Sequence, residues 1–183
     1  MIVGLSGYAG SGKDEVAKIL INSYNYKRVA FADKIREVLY ATNPVVMVDV
    51  AYKDITIQDL VLKEGWDNAK KNKEVRRLLQ ALGESCRTYL DDNLWVTSAL
   101  SNISDEDNVV ITDVRYLNEV EHLKQKFPSF QFWRVKRPDV YAVNNHISEI
   151  NLDGYRADQI LYNNGSLDDL SMLIKARMRG NLK

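Results

Sequence analysis

The clearest fold signal in the chain is the segment Ile2-Val3-Gly4-Leu5-Ser6-Gly7-Tyr8-Ala9-Gly10-Ser11-Gly12-Lys13-Asp14. It opens with a short apolar run, Ile2 to Leu5, which predicts a buried strand. The glycine-rich segment that follows breaks this strand, and Val16, Ile19 and Leu20 then recur at the spacing of one helix face. The sequence therefore predicts a strand, a tight loop and a helix in direct succession.

The segment Gly7-x-x-x-x-Gly12-Lys13 has the spacing of a phosphate-binding loop. Glycines let the backbone curl so that successive N–H groups point at phosphate oxygens, and the following helix adds its positive N-terminal end. Lys13 supplies a mobile positive charge for the terminal phosphates. An ordinary glycine-rich turn is the alternative, but the strand, the glycines, the lysine and the helix together favour nucleotide phosphate binding.

Asp14 stands where such loops usually carry the Ser or Thr whose hydroxyl holds Mg²⁺. A carboxylate is a good ligand for Mg²⁺, either directly or through a water molecule. An acidic residue in the first turn of a helix is also favoured by the helix dipole alone. Both interpretations of Asp14 stay open, and Ser11 could instead offer its hydroxyl to a phosphate.

Further strands are predicted at residues 29–31, 109–112, 130–135 and 159–162, and helices lie between most of them. The helix after residue 31 is expected to turn Ile35, Val38 and Leu39 inward. Ser166, with Asp169 three residues later, predicts the start of the last helix. Residues 41–72 allow no clear assignment, and residues 66–73 are expected to be exposed. The alternation predicts an α/β fold with a mainly parallel sheet that is covered on both faces.

Composition and charge narrow the classes of protein. The chain has 183 residues, 25 Lys plus Arg and 25 Asp plus Glu, so its formal net charge is zero. A general basic surface for nucleic acid is therefore disfavoured. The single cysteine excludes an intramolecular disulfide framework and suits a reducing compartment. Without an apolar run long enough for a bilayer or a signal-type N-terminus, a cytoplasmic protein with no membrane contact is expected.

The helix predicted from Lys73 to about residue 90 has two distinct faces. The apolar face is expected in the core and carries Val75, Leu78, Leu79, Leu82, Cys86 and Tyr89. The polar face carries Arg77, Gln80, Glu84 and Arg87, with Arg76 and Gly83 beside it. Guanidinium groups bind phosphate in a bidentate manner, so this face suits a phosphorylated acceptor. A solvated face with an internal Arg–Glu pair is the alternative, and spacing alone favours it.

Two more segments carry charge at the ends of predicted strands. Asp113 and Arg115 follow the strand at 109–112, where a Mg²⁺ partner and a phosphate-facing cation are expected beside a phosphate loop. Asp113 could instead cap the next helix. Arg134, Lys136 and Arg137 leave another strand and enter a polar loop that ends near His146, which we interpret as a structural or positioning residue. Such a loop can carry an arginine that neutralises charge in the transition state, or it is a plain surface loop.

These segments resemble, in order and over nearly the whole chain, the phage-type deoxynucleoside monophosphate kinases of the P-loop nucleoside monophosphate kinase group. The segments that carry the resemblance are Ser11-Gly12-Lys13-Asp14, Val75-Arg76-Arg77-Leu78-Leu79-Gln80-Ala81-Leu82-Gly83, Trp95-Val96, Asp113-x-Arg115, Val135-Lys136-Arg137-Pro138, His146-Ile147-Ser148-Glu149 and Asn163-x-Gly165-Ser166-Leu167. Residues 41–72 match least. The resemblance implies a three-layer P-loop NTPase fold similar to adenylate kinase. It also implies a single kinase domain over residues 1–183, with an acceptor-binding segment at about 33–90 and a short lid at about 137–150.

The resemblance implies transfer of the γ-phosphoryl group of ATP to a deoxynucleoside monophosphate with Mg²⁺, in the cytoplasm or, if the gene is a phage's, in the host cytoplasm. It assigns catalysis to Lys13, Arg115 and Arg137. ATP is expected at Ala9, Gly10, Ser11, Gly12, Lys13, Asp14, Glu15, Arg137, Asn163 and Gly165, the last three near the adenine or the lid. The acceptor is expected at Arg36, Arg76, Arg77, Gln80, Gly83, Arg87 and Arg115. Asp14 and Asp113 are the expected Mg²⁺ partners, the metal being held directly or through water.

Other functions remain alternatives at this point. A related P-loop kinase for a small phosphorylated metabolite, such as one of the dephospho-coenzyme A type, would carry the same phosphate loop. A non-catalytic nucleotide-binding switch is a different class, but the three arginine-bearing segments offer more cation than one nucleotide needs. The expected partners are ATP and a nucleoside monophosphate, without stable nucleic-acid binding, and a homodimer stays open.

Overall fold

The structure is a computed structural model that describes residues 1–48, 50–141 and 150–180. Its strands in chain order are β1 (Ile2–Ser6), β2 (Lys27–Val29), β3 (Val45–Val48), β4 (Asp54–Thr56), β5 (Val109–Ile111), β6 (Gln131–Lys136) and β7 (Gln159–Tyr162). Its helices are α1 (Lys13–Tyr24), α2 (Phe31–Thr42), α3 (Ile57–Ala69), α4 (Lys73–Tyr89), α5 (Leu94–Ala99), α6 (Leu117–Lys126) and α7 (Leu167–Gly180). The chain divides into two compact units, one of Met1–Ala30 with Leu100–Lys183 and one of Phe31–Ala99.

The first unit is built on a five-stranded sheet in the order β2-β5-β1-β6-β7. All of its pairings are parallel, and the central strand β1 aligns Gly4 with Ile111 on one side and with Phe132 on the other. Parallel strands need crossover connections, and α1 and α6 lie in the connections from β1 to β2 and from β5 to β6. The predicted α/β fold with a mainly parallel sheet is confirmed.

Side chains are buried on both faces of this sheet. Val3 and Leu5 point to the face where α1 and α7 complete the core with Leu20 and Ile174. Successive strand residues point to opposite faces, and the alternate residues are buried as well: Ile2, Val109, Ile111 and Phe132 are all fully buried. Because both faces are apolar and covered, the polar chemistry is confined to the loops at the strand ends.

The second unit packs α2, α3, α4 and α5 with the antiparallel ribbon β3–β4. Its core centres on Leu39, Val46, Ile57, Ala69 and Val75, against which Leu78, Leu79 and Leu82 of α4 pack. The polar face predicted for α4 is exposed at Arg76, Arg77 and Gln80. Residues 41–72, which the sequence left unassigned, form β3, β4 and α3.

Several local predictions were wrong. The strand expected at residues 29–31 ends at Val29, and Phe31 already begins α2. Val38 of α2 is 40% exposed rather than inward, and Tyr89 is 82% exposed. Tyr89 is the last residue of α4, and the core cluster ends one turn or more earlier, at Leu82, so the apolar periodicity continues beyond the surface that covers it.

The expectation that residues 66–73 are exposed was also wrong in part. Ala69 is fully buried and belongs to the core of the second unit, and Trp66 packs against the same core. Because most of the neighbouring residues are polar, the sequence gives little indication that these two residues pack in the core. Helix α3 is also interrupted, since Gly65 adopts φ 72° and ψ 163°, which are not helical values.

Candidate active site

A cavity of about 340 Å³ lies at the carboxyl ends of β1, β5 and β6. The carboxyl ends of parallel strands meet at one edge of a sheet, so the loops that follow these strands converge there. The described residues that line the cavity are Ser6, Gly7, Tyr8, Ala9, Ser11, Lys13, Asp113, Val114, Arg115, Arg134, Val135, Lys136, Arg137, Val140, Tyr141, Leu152 and Asp153. The structure thus brings together the predicted phosphate loop and the predicted cations Arg115 and Arg137.

Two glycines of the loop are required by backbone geometry. Gly7 has φ 144°, and a Cβ built on it would collide with the carbonyl oxygen of Val135 in the neighbouring strand β6. Gly12 has φ 101°, in the left-handed region, and is the N-cap of α1. These glycines let the loop turn from β1 into α1 while staying close to β6.

Lys13 opens α1 and turns its side chain back over the loop. Its Nζ atom donates hydrogen bonds to the carbonyl oxygens of Gly7, at 2.6 Å, and of Tyr8, at 2.9 Å. The ammonium group is therefore held at the wall of the cavity. A positive charge in this place can meet an anion that enters from the open side.

The hydroxyl group of Ser11 is the second feature of the loop. Ser11 is 1% exposed, and its Oγ atom is buried with no hydrogen-bond partner among the described residues. Leaving a buried hydroxyl unpaired costs about 1–3 kcal/mol, so such atoms usually serve a ligand or a functional contact. Ser11 also lines the cavity, as the phosphate-binding interpretation requires.

Asn163 reaches the phosphate loop from the end of β7. Its Nδ2 atom donates a hydrogen bond to the carbonyl oxygen of Ser11 at 3.0 Å. Its backbone N–H donates to the carbonyl oxygen of Lys136 at 2.7 Å. The side chain also fills the space beside Gly12, where a Cβ would collide with it. The structure therefore places Asn163 directly on the loop.

Asp113 and Arg115 both line the cavity, as predicted. The alternative in which Asp113 caps the next helix is wrong, because α6 begins at Leu117 and its N-cap is Tyr116. The carboxylate of Glu119, which is 6% exposed, accepts the backbone N–H groups of Arg115 and Tyr116 at 2.7 and 3.0 Å. Glu119 thereby fixes the backbone of Arg115 at the cavity.

The sequence allowed Arg134 to lie at the start of a polar loop, but the structure places it in a strand. It lies within β6, and its guanidinium group donates to the carbonyl oxygens of Leu152 and Asp153. Burial lowers the pKa of Arg134 below its ordinary value, and the negative charge of Asp153 opposes that effect. The carboxylate of Asp153 also accepts the hydroxyl of Tyr8 at 2.9 Å. These contacts tie the phosphate loop to the segment around residue 153.

Arg137 follows β6, is exposed and lines the cavity. The lid expected at residues 137–150 is described only at residues 137–141 and 150, and His146 lies outside the described residues.

The other residues expected to bind ATP are not among the described residues that line the cavity. Asp14 and Glu15 lie in the first turn of α1, and Glu15 pairs with Lys18 at 2.6 Å. A Cβ at Gly165 would crowd the carboxylate of Asp169, whose Oδ2 accepts the backbone N–H of Ser166 at 2.9 Å. That carboxylate and the Ser166 side chain form the predicted capping box at the start of α7.

Arg36 lies in a groove of the second unit. Its NH1 atom is 3.0 Å from the carboxylate of Asp33, and its guanidinium lies 5.9 Å from the centre of the Trp66 ring. The groove has a volume of about 540 Å³ and is lined by Asp33, Arg36, Glu37, Tyr40, Val61 and Trp66. It combines aromatic surface with charges of both signs.

The predicted acceptor residues of α4 differ in their surroundings. Arg77 makes a bidentate ion pair with Glu74, with N–O distances of 2.8 and 2.6 Å. This pairing lowers the pKa of Glu74 and raises that of Arg77. Arg76 and Gln80 are exposed, and Arg87 is half-buried. Gly83 is buried, its carbonyl accepts the Trp95 indole N–H at 3.0 Å, and a Cβ on it would lie 3.1 Å from Ile35. The close approach of Ile35 gives a packing reason for this glycine.

A family model described as deoxynucleotide monophosphate kinase matches residues 48–174. The chain belongs to the deoxynucleotide monophosphate kinase family. The resemblance drawn from the sequence is therefore confirmed, and the match includes residues 48–72 of the segment that the sequence left unassigned. The whole match lies beyond the phosphate loop, so it does not depend on that common motif.

Two relatives are full proteins named for this activity. The deoxynucleotide monophosphate kinase of Escherichia phage RB69 is 30% identical over 135 residues, which cover 70% of this chain and 54% of that protein. The match thus spans about half the length of the phage protein. The putative deoxynucleotide monophosphate kinase of Acanthamoeba polyphaga mimivirus is 24% identical over 185 residues, 92% of this chain and 91% of that protein.

Among solved structures, the chain is similar to a shikimate kinase from Aquifex aeolicus, with a TM-score of 0.48, 14% identity, and coverage of 100% and 98% of the two chains. It is also similar to a dephospho-CoA kinase from Campylobacter jejuni, with a TM-score of 0.44, 14% identity, and coverage of 97% and 95%. At such TM-scores and identities, these likenesses say nothing about the substrate.

Within the described ranges, no helix has both the length and the apolar character needed to cross a membrane. In the same ranges, no three or more His, Cys, Asp or Glu side chains are grouped so that they could hold a metal ion.

Sequence reasoning missed Tyr8, Glu119 and Asp153 as parts of this site. Glu119 carried a local signal, since an acidic residue three positions into a helix is typical of a capping box. Tyr8 and Asp153 are 145 residues apart, and no sequence pattern links them. Tyr8 follows β1 and Asp153 lies in the connection between β6 and β7, so their contact depends on tertiary packing.

Proposed function

We propose that the chain transfers the γ-phosphoryl group of ATP to the phosphate of a deoxynucleoside monophosphate. The observation that supports this most directly is the single cavity that joins the phosphate loop, through Lys13, to Asp113, Arg115 and Arg137. A loop for one polyphosphate with two further arginines beside it suits a reaction in which two anions must meet. Membership in the deoxynucleotide monophosphate kinase family points to the same reaction.

In this reaction, an oxygen of the acceptor phosphate attacks the γ-phosphorus of ATP. The bond from that phosphorus to the β,γ-bridging oxygen breaks, and ADP leaves with the negative charge. The acceptor is already an anion, so no strong general base is required. What the protein must supply is in-line placement and cancellation of charge.

The residues divide this work by position. The loop Ala9–Lys13, with Asp14 and Glu15 after it, would cradle the phosphates of ATP, and Lys13 would neutralise charge on the transferred group. Arg115, whose backbone Glu119 fixes, would contact the acceptor phosphate, and Arg137 would cover the transferring group from the end of β6. Gly165 is expected nearer the adenine.

Residues of the second unit are also proposed for the acceptor. Arg36, Arg76, Arg77, Gln80, Gly83 and Arg87 are the residues proposed for it. The exposed guanidinium groups of α4 remain able to bind phosphate, because an exposed ion pair such as Arg77–Glu74 contributes little to stability and exchanges easily for another anion.

The residues present fit Mg²⁺ as a cofactor bound with ATP. This ion prefers oxygen ligands and is usually held by one or two carboxylates, water and the phosphates of the substrate. Asp113 at the cavity and Asp14 at the start of α1 offer such oxygens, and the described residues form no larger cluster of metal ligands. When bound, the ion would neutralise charge on the β- and γ-phosphates.

The test is a survey of acceptors with ATP and Mg²⁺. ADP release is measured with each deoxyribo- and ribonucleoside monophosphate and with dephospho-coenzyme A, and the phosphorylated product is identified by chromatography. We expect ADP and a deoxynucleoside diphosphate in equal amounts, and no turnover when the metal is chelated. Transfer only to dephospho-coenzyme A, or tight ATP binding with no transfer to any acceptor, would overturn the proposal.

A further inference from the structure

We propose that Asn163 is a positioning residue that orients the Ser11–Gly12 peptide of the phosphate loop for anion binding. This role rests on the proposed function in one point: the ligand of the loop is a nucleotide polyphosphate. It assigns to Asn163 a role that acts through the loop and does not require contact with the adenine.

The contact itself is specific. The side-chain amide of Asn163 donates to the carbonyl oxygen of Ser11 at 3.0 Å, across 152 residues of sequence. The amide lies against Gly12 so closely that a Cβ there would collide with it. Ser11 is 1% exposed, so its carbonyl oxygen needs a donor from the protein.

The geometry of the peptide bond turns this contact into control of the loop. A trans peptide is planar, and its C=O and N–H groups point in opposite directions. When Asn163 holds the carbonyl of Ser11 on one side, the N–H of Gly12 must point to the other side. That N–H immediately precedes Lys13, whose side chain lines the cavity.

Asn163 is itself held firmly. It directly follows β7, and its backbone N–H donates to the carbonyl oxygen of Lys136 at 2.7 Å, which extends the pairing of β6 with β7 by one residue. The backbone of the loop is free to adopt other conformations because of its glycines, Gly10 and Gly12, both with positive φ. A rigid strand end that holds one carbonyl therefore removes much of the freedom that the glycines introduce.

A direct test compares Asn163→Asp with Asn164→Asp, a matched change at the exposed neighbouring residue. The dissociation constants of inorganic tripolyphosphate, ATP and GTP are measured by calorimetry for both variants and for the unchanged protein. In Asn163→Asp, the donor becomes a carboxylate oxygen that faces the carbonyl oxygen of Ser11. We expect all three ligands to bind about tenfold more weakly or worse, and Asn164→Asp to bind them normally.

Asn163→Ala serves as a second variant if the aspartate variant does not fold, as judged by thermal unfolding. It removes the donor without adding charge, so we expect a smaller loss in the same direction for all three ligands. An unchanged affinity for tripolyphosphate in the variants would overturn the inference, and so would a loss confined to ATP, which would indicate a base contact. Failure of the unchanged protein to bind tripolyphosphate would overturn it as well.

The binding measurement and the acceptor survey test two separate properties of the protein. The binding measurement needs no phosphoryl transfer. If the acceptor survey shows no kinase activity while Asn163→Asp still weakens tripolyphosphate binding, the proposed function fails and the role of Asn163 stands. If the kinase is active and the variants bind tripolyphosphate normally, only the inference fails.

Discussion

The Nζ atom of Lys13 lies 2.6 Å from the carbonyl oxygen of Gly7, the residue that opens the phosphate loop. A lysine ammonium group has three hydrogen atoms to donate and rotates freely about its stem. The contact with Gly7 keeps the positive charge at the cavity. A phosphate oxygen can replace the carbonyl oxygen of Gly7 at little cost, because both are hydrogen-bond acceptors.

Replacing Lys13 with Ala should reduce kcat by about a hundredfold to a thousandfold or more, because the variant loses a positive charge aimed at the transferring phosphate. The fold should survive, since Lys13 is only half-buried and contributes no side chain to the core. Steady-state kinetics and thermal unfolding measure the two effects. Lys18→Ala, on the same helix and 64% exposed, is the matched control. Normal turnover in Lys13→Ala would contradict the site.

Replacing Arg77 with Ala should raise the KM for the acceptor by about tenfold while leaving the KM for ATP nearly unchanged. The reason is that α4 is proposed to bind the acceptor and not ATP. The free energy of unfolding should change very little, since the ion pair with Glu74 is exposed. Glu74→Gln breaks the same pair but keeps the guanidinium, so its acceptor KM should be normal. Equal effects of Arg77→Ala on both substrates would count against the assignment.

Replacing Glu119 with Gln should lower the free energy of unfolding by about 1–3 kcal/mol, because a buried carboxylate that accepts two backbone N–H groups becomes a neutral amide. Chemical denaturation with urea measures this difference. Glu121→Gln, two residues along the same helix and exposed, should change stability very little. Indistinguishable stabilities of the two variants would show that Glu119 does not hold the start of α6.

The stabilising effect of Asp107 on the fold should be lost at acid pH. The backbone N–H of Ser104, then the ammonium of Lys27 and the hydroxyl of Ser104, lower the pKa of Asp107 from 3.8 to about 2. Because the pKa is lower in the folded state, the contribution is complete above about pH 4 and is lost as the pH falls toward 2.

The variant Asp107→Asn tests this sign. Its urea midpoint should lie below that of the unchanged protein at pH 5, and the difference should shrink as the pH is lowered toward 2. Glu106→Gln, a neighbouring exposed carboxylate, should show a smaller difference at pH 5. A difference for Asp107→Asn that stays constant over this range would contradict the prediction.

Much of the fold could be predicted because its signals are local. Strand β7 was placed within its observed bounds, Gln159–Tyr162, and the capping box of Ser166 and Asp169 marked the start of α7. The second unit was harder to predict, since β3 exposes apolar side chains, among them Val45 at 47% and Val48 at 54%. A short ribbon without a clean alternation of buried and exposed residues has no strong sequence signature.

Sequence alone identified the phosphate loop, because a glycine-rich turn between an apolar strand and a helix needs only neighbouring residues to define it. It also placed Asp113, Arg115 and Arg137 near the ends of strands. Only the packing of distant segments showed that Asn163 donates to the Ser11 carbonyl, that the Asp153 carboxylate accepts the Tyr8 hydroxyl, and that Arg134 donates to backbone carbonyls. These contacts join residues far apart in the chain, and only the order and register of parallel strands bring such residues within hydrogen-bond distance.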